Sequence, residues 1–124
     1  MEVEAANAML AARDAGQSRE FLLRPLAGSD APFAARTETM QARLAELLRH
    51  IVHDIYAHPA VHADTYRVYR ERRCQRRNAG NPVPVKLGQV VVPLMACQAQ
   101  HAAADTSILA ECIDAVLDGY LAQS

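Results

Sequence analysis

The chain has 124 residues, 51% of them hydrophobic, and a net charge of −1 at neutral pH. That length suits one domain, and the apolar content excludes disorder as the default. The near-zero charge excludes whole-protein attraction to nucleic acid or membrane, so any such attraction must come from local clustering.

Residues 2–15 are alanine-rich and predict a short helix with a weak face of Val3, Ala6 and Leu10, interrupted by Gly16. Ser18 can cap a second short turn holding Phe21, Leu22 and Leu23, which Pro25 stops. The stretch LAGSDAP over 26–32 is a loop by composition. Met40, Leu44, Leu47, Leu48, Ile51 and Ile55 then recur at spacings of three and four, while Arg36, Arg43, Glu46 and Arg49 fall off that stripe. This predicts a long helix over 32–57, ended by His58-Pro59 because a residue before proline disfavours the α region. Pro59 can open a third helix through residue 77, with Val61, Thr65, Val68 and Tyr69 inward. NAGNPVPV at 78–85 is a break. Val90–Val92 reads either as a short extended segment or as part of one helix kinked at Pro93, with helix after 93 in both cases. The last helix, capped by Asp105, Thr106 or Ser107, runs through Ala122 with Leu109, Ile113, Val116, Leu117 and Tyr120 as its apolar stripe.

The sharpest feature is RVYRERRCQRR at 67–77, which holds six of the twelve arginines against one acid, Glu71. On a helix, Arg70, Arg73 and Arg77 share one row, Arg72 and Arg76 the next, and Arg67 precedes them, with Tyr66 and Tyr69 interleaved. Guanidinium groups are permanently charged and fork onto phosphate, while tyrosines can stack on bases. A nucleic-acid backbone or an acidic protein surface therefore fits these eight residues. The bland counterpart is internal pairing: from Asp105 onward there are four acids and no Lys or Arg.

His50, His53, His58 and His62, with Asp54 and Asp64, cluster within a short span, and imidazole and carboxylate are metal ligands and proton carriers. Pro59 breaks the helix between them, so four ligands cannot converge from one helix. Cys97, His101 and Asp105 drift around one helix face, with Cys112 able to fold back, and an inward Cys97 among Leu94 and Met95 fits simple core equally well. Three cysteines, an odd and widely spaced set, do not read as a disulfide framework and suit a reducing compartment. MEVEAANAML carries two glutamates and no basic stretch, so no secretory signal is expected, and no apolar run approaches the roughly 20 residues that span a bilayer.

No glycine-rich phosphate loop, Gly-x-Ser-x-Gly or His-Glu-x-x-His occurs. Arg43 with His50, and Arg49 with His53, are compared with the Arg-x4–6-His pattern of helical ribonucleases of the HEPN type and set aside as spacings that do not fit it, so no site is carried over. SILAECIDAVLDGYLAQ at 107–123 resembles the final helices of TetR-type ligand-binding domains, which implies a small-molecule sensor. The helix-turn-helix that such regulators carry ahead of those helices is not evident.

The pattern predicts an all-α fold, a single domain over 1–124 built as an irregular bundle of four to five helices. The 32–57 helix is its expected spine, with the 59–77 and 106–122 helices against it. Aromatics are 5% and Trp is absent, so the core is thin and suits completion by a partner or by homodimerisation. The expected function is a non-catalytic interaction protein, a small cytoplasmic subunit or regulator. It docks through Arg67, Arg70, Arg72, Arg73, Arg76, Arg77, Tyr66 and Tyr69 on an acidic protein surface or a nucleic-acid backbone. No catalytic, metal, cofactor or membrane site is assigned. Two other classes stand beside it. One is a small-molecule sensor with a pocket among Tyr56, Tyr66, Tyr69, Leu94 and Met95; the other is a metal-dependent enzyme using the His50–His62 cluster.

Overall fold

The computed structural model describes residues 2–24, 38–101 and 106–123. Six α-helices and one 3-10 turn occur among them: α1 (Glu2–Asp14), α2 (Arg19–Leu23), α3 (Glu38–Ala57), α4 (Ala63–Asn78), the 3-10 turn Leu87–Gln89, α5 (Val91–His101) and α6 (Thr106–Gln123). The fold is an all-α bundle.

Local chemistry sets most boundaries. Ser18 caps α2 as expected, its hydroxyl accepting the Phe21 N–H at 3.1 Å. Residues 32–37 of the expected long helix lie outside the described residues, as does Asp105, an expected cap of α6. Helix α4 opens at Ala63, four residues after Pro59. Instead of starting a helix, Pro59 sits in a turn closed by the Val61 N–H on the His58 carbonyl at 3.1 Å. Gln98 of α5 holds that turn from both sides. Its Oε1 accepts the His62 N–H at 2.7 Å and its Nε2 donates to Ala60 O at 3.0 Å. At the other end α4 closes with a Schellman motif: Gly80 N–H to Arg77 O and Asn81 N–H to Arg76 O, both 3.0 Å. Gly80 stands at φ +86° there, a conformation that costs other residues. Val91 and Val92 are helical, with Pro93 in the first turn of α5, where no intrahelical N–H is needed.

The core gathers Leu10 from α1, Ile51 and Ile55 from α3, Tyr66, Val68 and Tyr69 from α4, Leu87, Leu94, and Leu109, Ile113 and Leu117 from α6. The long helix is not the centre. Helices α1 and α4 share that place: α1 packs on α3 and α4, and α4 packs between α1 and α6, while α3 also meets α2 and α5 packs on α6. Arg13 of α1 ties the end of α3 to the following turn, donating to Ile55 O at 3.3 Å and Val61 O at 3.1 Å.

One expectation fails outright. Cys97 of α5 and Cys112 of α6 form a disulfide, with Cα atoms 5.8 Å apart and a sequence separation of 15. Helix α6 folds back onto α5, which brings two widely spaced cysteines together. Cys74 remains as a free thiol.

Candidate anion-binding site

The arginines of α4 separate into an inward row and an outward row. Tyr69 and Arg70 lie three and four residues after Tyr66, and Arg73 lies four and three after them, so the four share one side of the helix and face the interior, where Tyr66 and Arg70 are 0% exposed. Two buried guanidinium groups need charge and acceptors. Asp54 of α3, 1% exposed, supplies the charge. Its Oδ2 accepts the Tyr66 hydroxyl at 3.0 Å and lies 4.0 Å from Arg70 Nη1. Its Oδ1 accepts the Leu87 backbone N–H at 3.1 Å. Arg73 Nε donates to Pro84 O at 2.8 Å. Burial pushes the Tyr69 phenol up to about 12 and raises that of Tyr66 as well, so both keep their protons.

His50 stands one turn before Asp54, at the edge of this network. Nδ1 lies 3.4 Å from Arg70 Nη1, and Nε2 meets the Val85 carbonyl and lies 3.7 Å from Asp54 Oδ2. Burial is the largest influence on the imidazole and lowers its pKa. Arg70 and Arg73 lower it further, while Asp54 and the Val85 carbonyl oppose them. The net shift is downward, so His50 is neutral at pH 7.

Three outward arginines are paired with carboxylates. Arg67 pairs with Asp64 at 2.7 Å, Arg72 with Asp114 at 3.6 Å, and Arg76 with Asp118 at 2.6 Å and Asp114 at 3.5 Å. The acidic helix α6 thus meets the basic helix within one subunit. A contact surface made of all eight expected residues is therefore absent. Tyr66, Tyr69, Arg70 and Arg73 are buried, and Arg67, Arg72 and Arg76 are bound to carboxylates. Of the eight, Arg77 is exposed and lines an open cleft.

That cleft, of about 580 Å³, lies between α3, the end of α4 and residues 85–86. Arg43, Glu46, Leu47, Arg49, His50 and His53 supply one wall, Arg73 and Arg77 a second, Val85 and Lys86 a third. Among the described residues the lining holds five permanent cations, two imidazoles and one carboxylate. Arg43, Arg49 and Lys86 form no ion pair among the described residues. The sequence reading missed this site, treating Arg43 and Arg49 as the solvent side of an apolar stripe. The signal that could have found it was the polar row Arg43, Glu46, His50 and His53, again at spacings of three and four. Six residues separate Arg43 from His50, within the Arg-x4–6-His interval; three separate Arg49 from His53, outside it.

The other expected sites do not assemble. His50 and His53 line the cleft, His58 packs near Gly88, and His62 is the exposed residue ahead of α4. Among the described residues no three His, Cys, Asp or Glu side chains group as metal ligands. Tyr66, Tyr69 and Leu94 are core residues. A second groove, of about 510 Å³ between α5 and α6, is lined by Val90, Pro93, the Cys97–Cys112 pair, Val116 and Tyr120, and by none of the five residues expected around a sensor pocket. Among the described residues no helix is long and apolar enough to cross a membrane. Comparison with protein-family models, with curated proteins and with solved structures returns no match.

Proposed function

We propose that this chain is a non-catalytic binding domain that holds a phosphate-bearing partner in the cleft between α3, the end of α4 and residues 85–86. One observation carries the reading: among the described residues, three exposed cations of a concave site, Arg43, Arg49 and Lys86, form no ion pair. Arginine forks and a lysine point charge are the donors that phosphate oxygens take. The docking role expected from sequence is kept, and its surface moves from the outward face of α4 to this cleft. The test is binding of labelled duplex, single-stranded nucleic acid and a phosphorylated acidic peptide across a salt series. The wild type is compared with R43A/R49A/K86A, whose substitutions fall on exposed side chains. For duplex, the slope of log K against log salt should fall by about 0.9 for each phosphate left without its cation, so by about 2.7 for three. Equal binding by the triple variant would place the contact elsewhere.

A second reading rests on Arg43 and His50 lining the same cleft at a ribonuclease-like interval. There, the neutral His50 imidazole would take the proton of an RNA 2′-hydroxyl as that oxygen bonds to the adjacent phosphorus and the P–O5′ bond breaks, the 5′-oxygen leaving with a proton from water, while Arg43 stabilises charge on the phosphate. Its ring is already engaged by Arg70 and the Val85 carbonyl, which favours the binding role. Incubation with RNA in the presence of chelator separates the two: cleavage abolished by H50A supports catalysis, and intact RNA supports binding alone.

A further inference from the structure

The groove between α5 and α6 has a reactive bond in its wall. Both sulfur-bearing residues of the Cys97–Cys112 disulfide line it, and its volume of about 510 Å³ admits a small molecule. Access to the two cysteines differs: Cys97 is 2% exposed, whereas Cys112 is partly exposed. The side chains around the bond are short. On α5, Pro93 stands one turn before Cys97 and Ala96 directly before it; on α6, Ala115 and Gly119 follow Cys112 along the same helix side, and all four are exposed. A Cβ added at Gly119 meets nothing within 4 Å, so the groove is open there.

Thiol–disulfide exchange needs a thiolate to reach one sulfur, and its rate depends on access and on which sulfur is attacked. A disulfide sealed in a core is closed to this reaction, while one that borders a groove is open to it. The bond also sits at a useful place in the fold. Gln98, the residue after Cys97, holds the turn ahead of α4 through the His62 N–H and the Ala60 carbonyl. The disulfide therefore ties α6 to the helix that fixes the start of α4.

We propose that the Cys97–Cys112 bond is a thiol-exchange site, at which a low-molecular-weight thiol enters the α5–α6 groove and forms a mixed disulfide with Cys112. The incoming thiolate bonds to Cys112 Sγ as the Cys97–Cys112 bond breaks. The electron pair of that bond leaves on Cys97 Sγ, which takes a proton from water. Re-attack by the Cys97 thiolate expels the small thiol and restores the original bond, so the modification is reversible. The experiment uses the full chain as C74S, which removes the free thiol on α4, with reduced glutathione and no denaturant. Acid-quenched samples are read by intact mass and peptide mapping. One glutathione should appear on Cys112, with Cys97 as a free thiol, at a rate that is flat across low urea. A rate that is nil without urea and climbs with it would show that the bond is reached only by unfolding, and would overturn the proposal. An adduct on Cys97 would overturn the choice of sulfur. A115W, at an exposed position on the groove, should slow the reaction about tenfold at an unchanged unfolding midpoint, and an unchanged rate would show that the thiol does not enter there. Single-thiol variants identify the sulfur even where re-closure outruns trapping, and both lose the disulfide equally. C74S/C97S should take glutathione from glutathione disulfide about tenfold faster than C74S/C112S, and the reverse order would overturn the assignment to Cys112.

Discussion

Asp54→Ala is the substitution expected to damage this fold most. The carboxylate is 1% exposed, faces a fully buried Arg70 across 4.0 Å, and accepts the Tyr66 hydroxyl and the Leu87 N–H. Two unit charges at that separation interact by about 4 kcal/mol at an effective dielectric of 20. Desolvation offsets much of this while both partners are present, but removing one partner of a buried pair costs about 3–5 kcal/mol. The two donors that lose their acceptor act in the same direction. A loss of about 4 kcal/mol is therefore expected, against a typical domain stability of about 5–15 kcal/mol. Urea unfolding followed by circular dichroism would report it as a lower midpoint at unchanged slope. D54A/R70M should recover about half of the loss, because it removes the buried cation along with its counter-charge. A D54A cost below about 1 kcal/mol, or a double variant no better than D54A, would refute the assignment of Asp54 as the charge that makes Arg70 tolerable inside.

The remaining expectations are separable. Reducing the Cys97–Cys112 bond, or C97A/C112A, should cost about 3 kcal/mol from the 15-residue loop it closes, read as a lower unfolding midpoint in reductant. His50, lowered from 6.5 in the fold, resists protonation that the unfolded chain accepts. Its contribution is present above pH 6.5 and is lost as pH falls below that value toward its folded pKa. Urea midpoints from pH 7.5 to 5 should therefore fall more steeply for wild type than for H50Q. Gly80→Ala should cost about 1–2 kcal/mol from the left-handed conformation alone, since an added Cβ meets nothing within 4 Å. Arg76 and Asp118 are 20% and 67% exposed, so a double-mutant cycle should return a coupling of about 1 kcal/mol or less.

Helix periodicity was legible in the sequence, and so was the apolar face of each long helix. Leu44, Ile51 and Ile55, and Leu109, Ile113 and Leu117, are buried as their spacing implies. Periodicity says which side chains share a row and is silent on whether a mixed row faces inward. Arg70 and Arg73 share a row with Tyr66 and Tyr69, and charged residues are rarely buried unless paired. The pairing partner, Asp54, lies on another helix and was visible only as the neighbour of a histidine. The cleft was hidden for a related reason, because Arg43, Arg77 and Lys86 are distant in sequence and meet only when α3, α4 and the 78–86 segment close on one another. The disulfide needed the fold-back of α6, which no spacing rule supplies. Disulfides persist mainly in oxidising compartments, so this bond weighs against the reducing, cytoplasmic setting expected from the cysteine count.

The buried network and the cleft are not independent features. Asp54 binds the Leu87 N–H, Arg73 binds the Pro84 carbonyl and His50 meets the Val85 carbonyl, so three side chains of the network pin residues 84–87 by their backbone. Lys86 lies inside that pinned stretch, and its position across from Arg43 depends on those bonds. A substitution that keeps the helices but weakens the pins should therefore loosen the third wall of the cleft. Asp54→Asn is suited to this, since the amide keeps an acceptor oxygen for the Leu87 N–H or the Tyr66 hydroxyl and removes the charge. At low temperature, where the folded population persists, D54N should bind the phosphate-bearing partner more weakly although residue 54 does not line the cleft. The local charge change alone favours the opposite sign: losing a buried carboxylate near five cations should strengthen anion binding. Weaker binding by folded D54N would show that positioning of residues 84–87 outweighs local charge, and tighter binding would show that the cleft is held open by α3 and α4 alone.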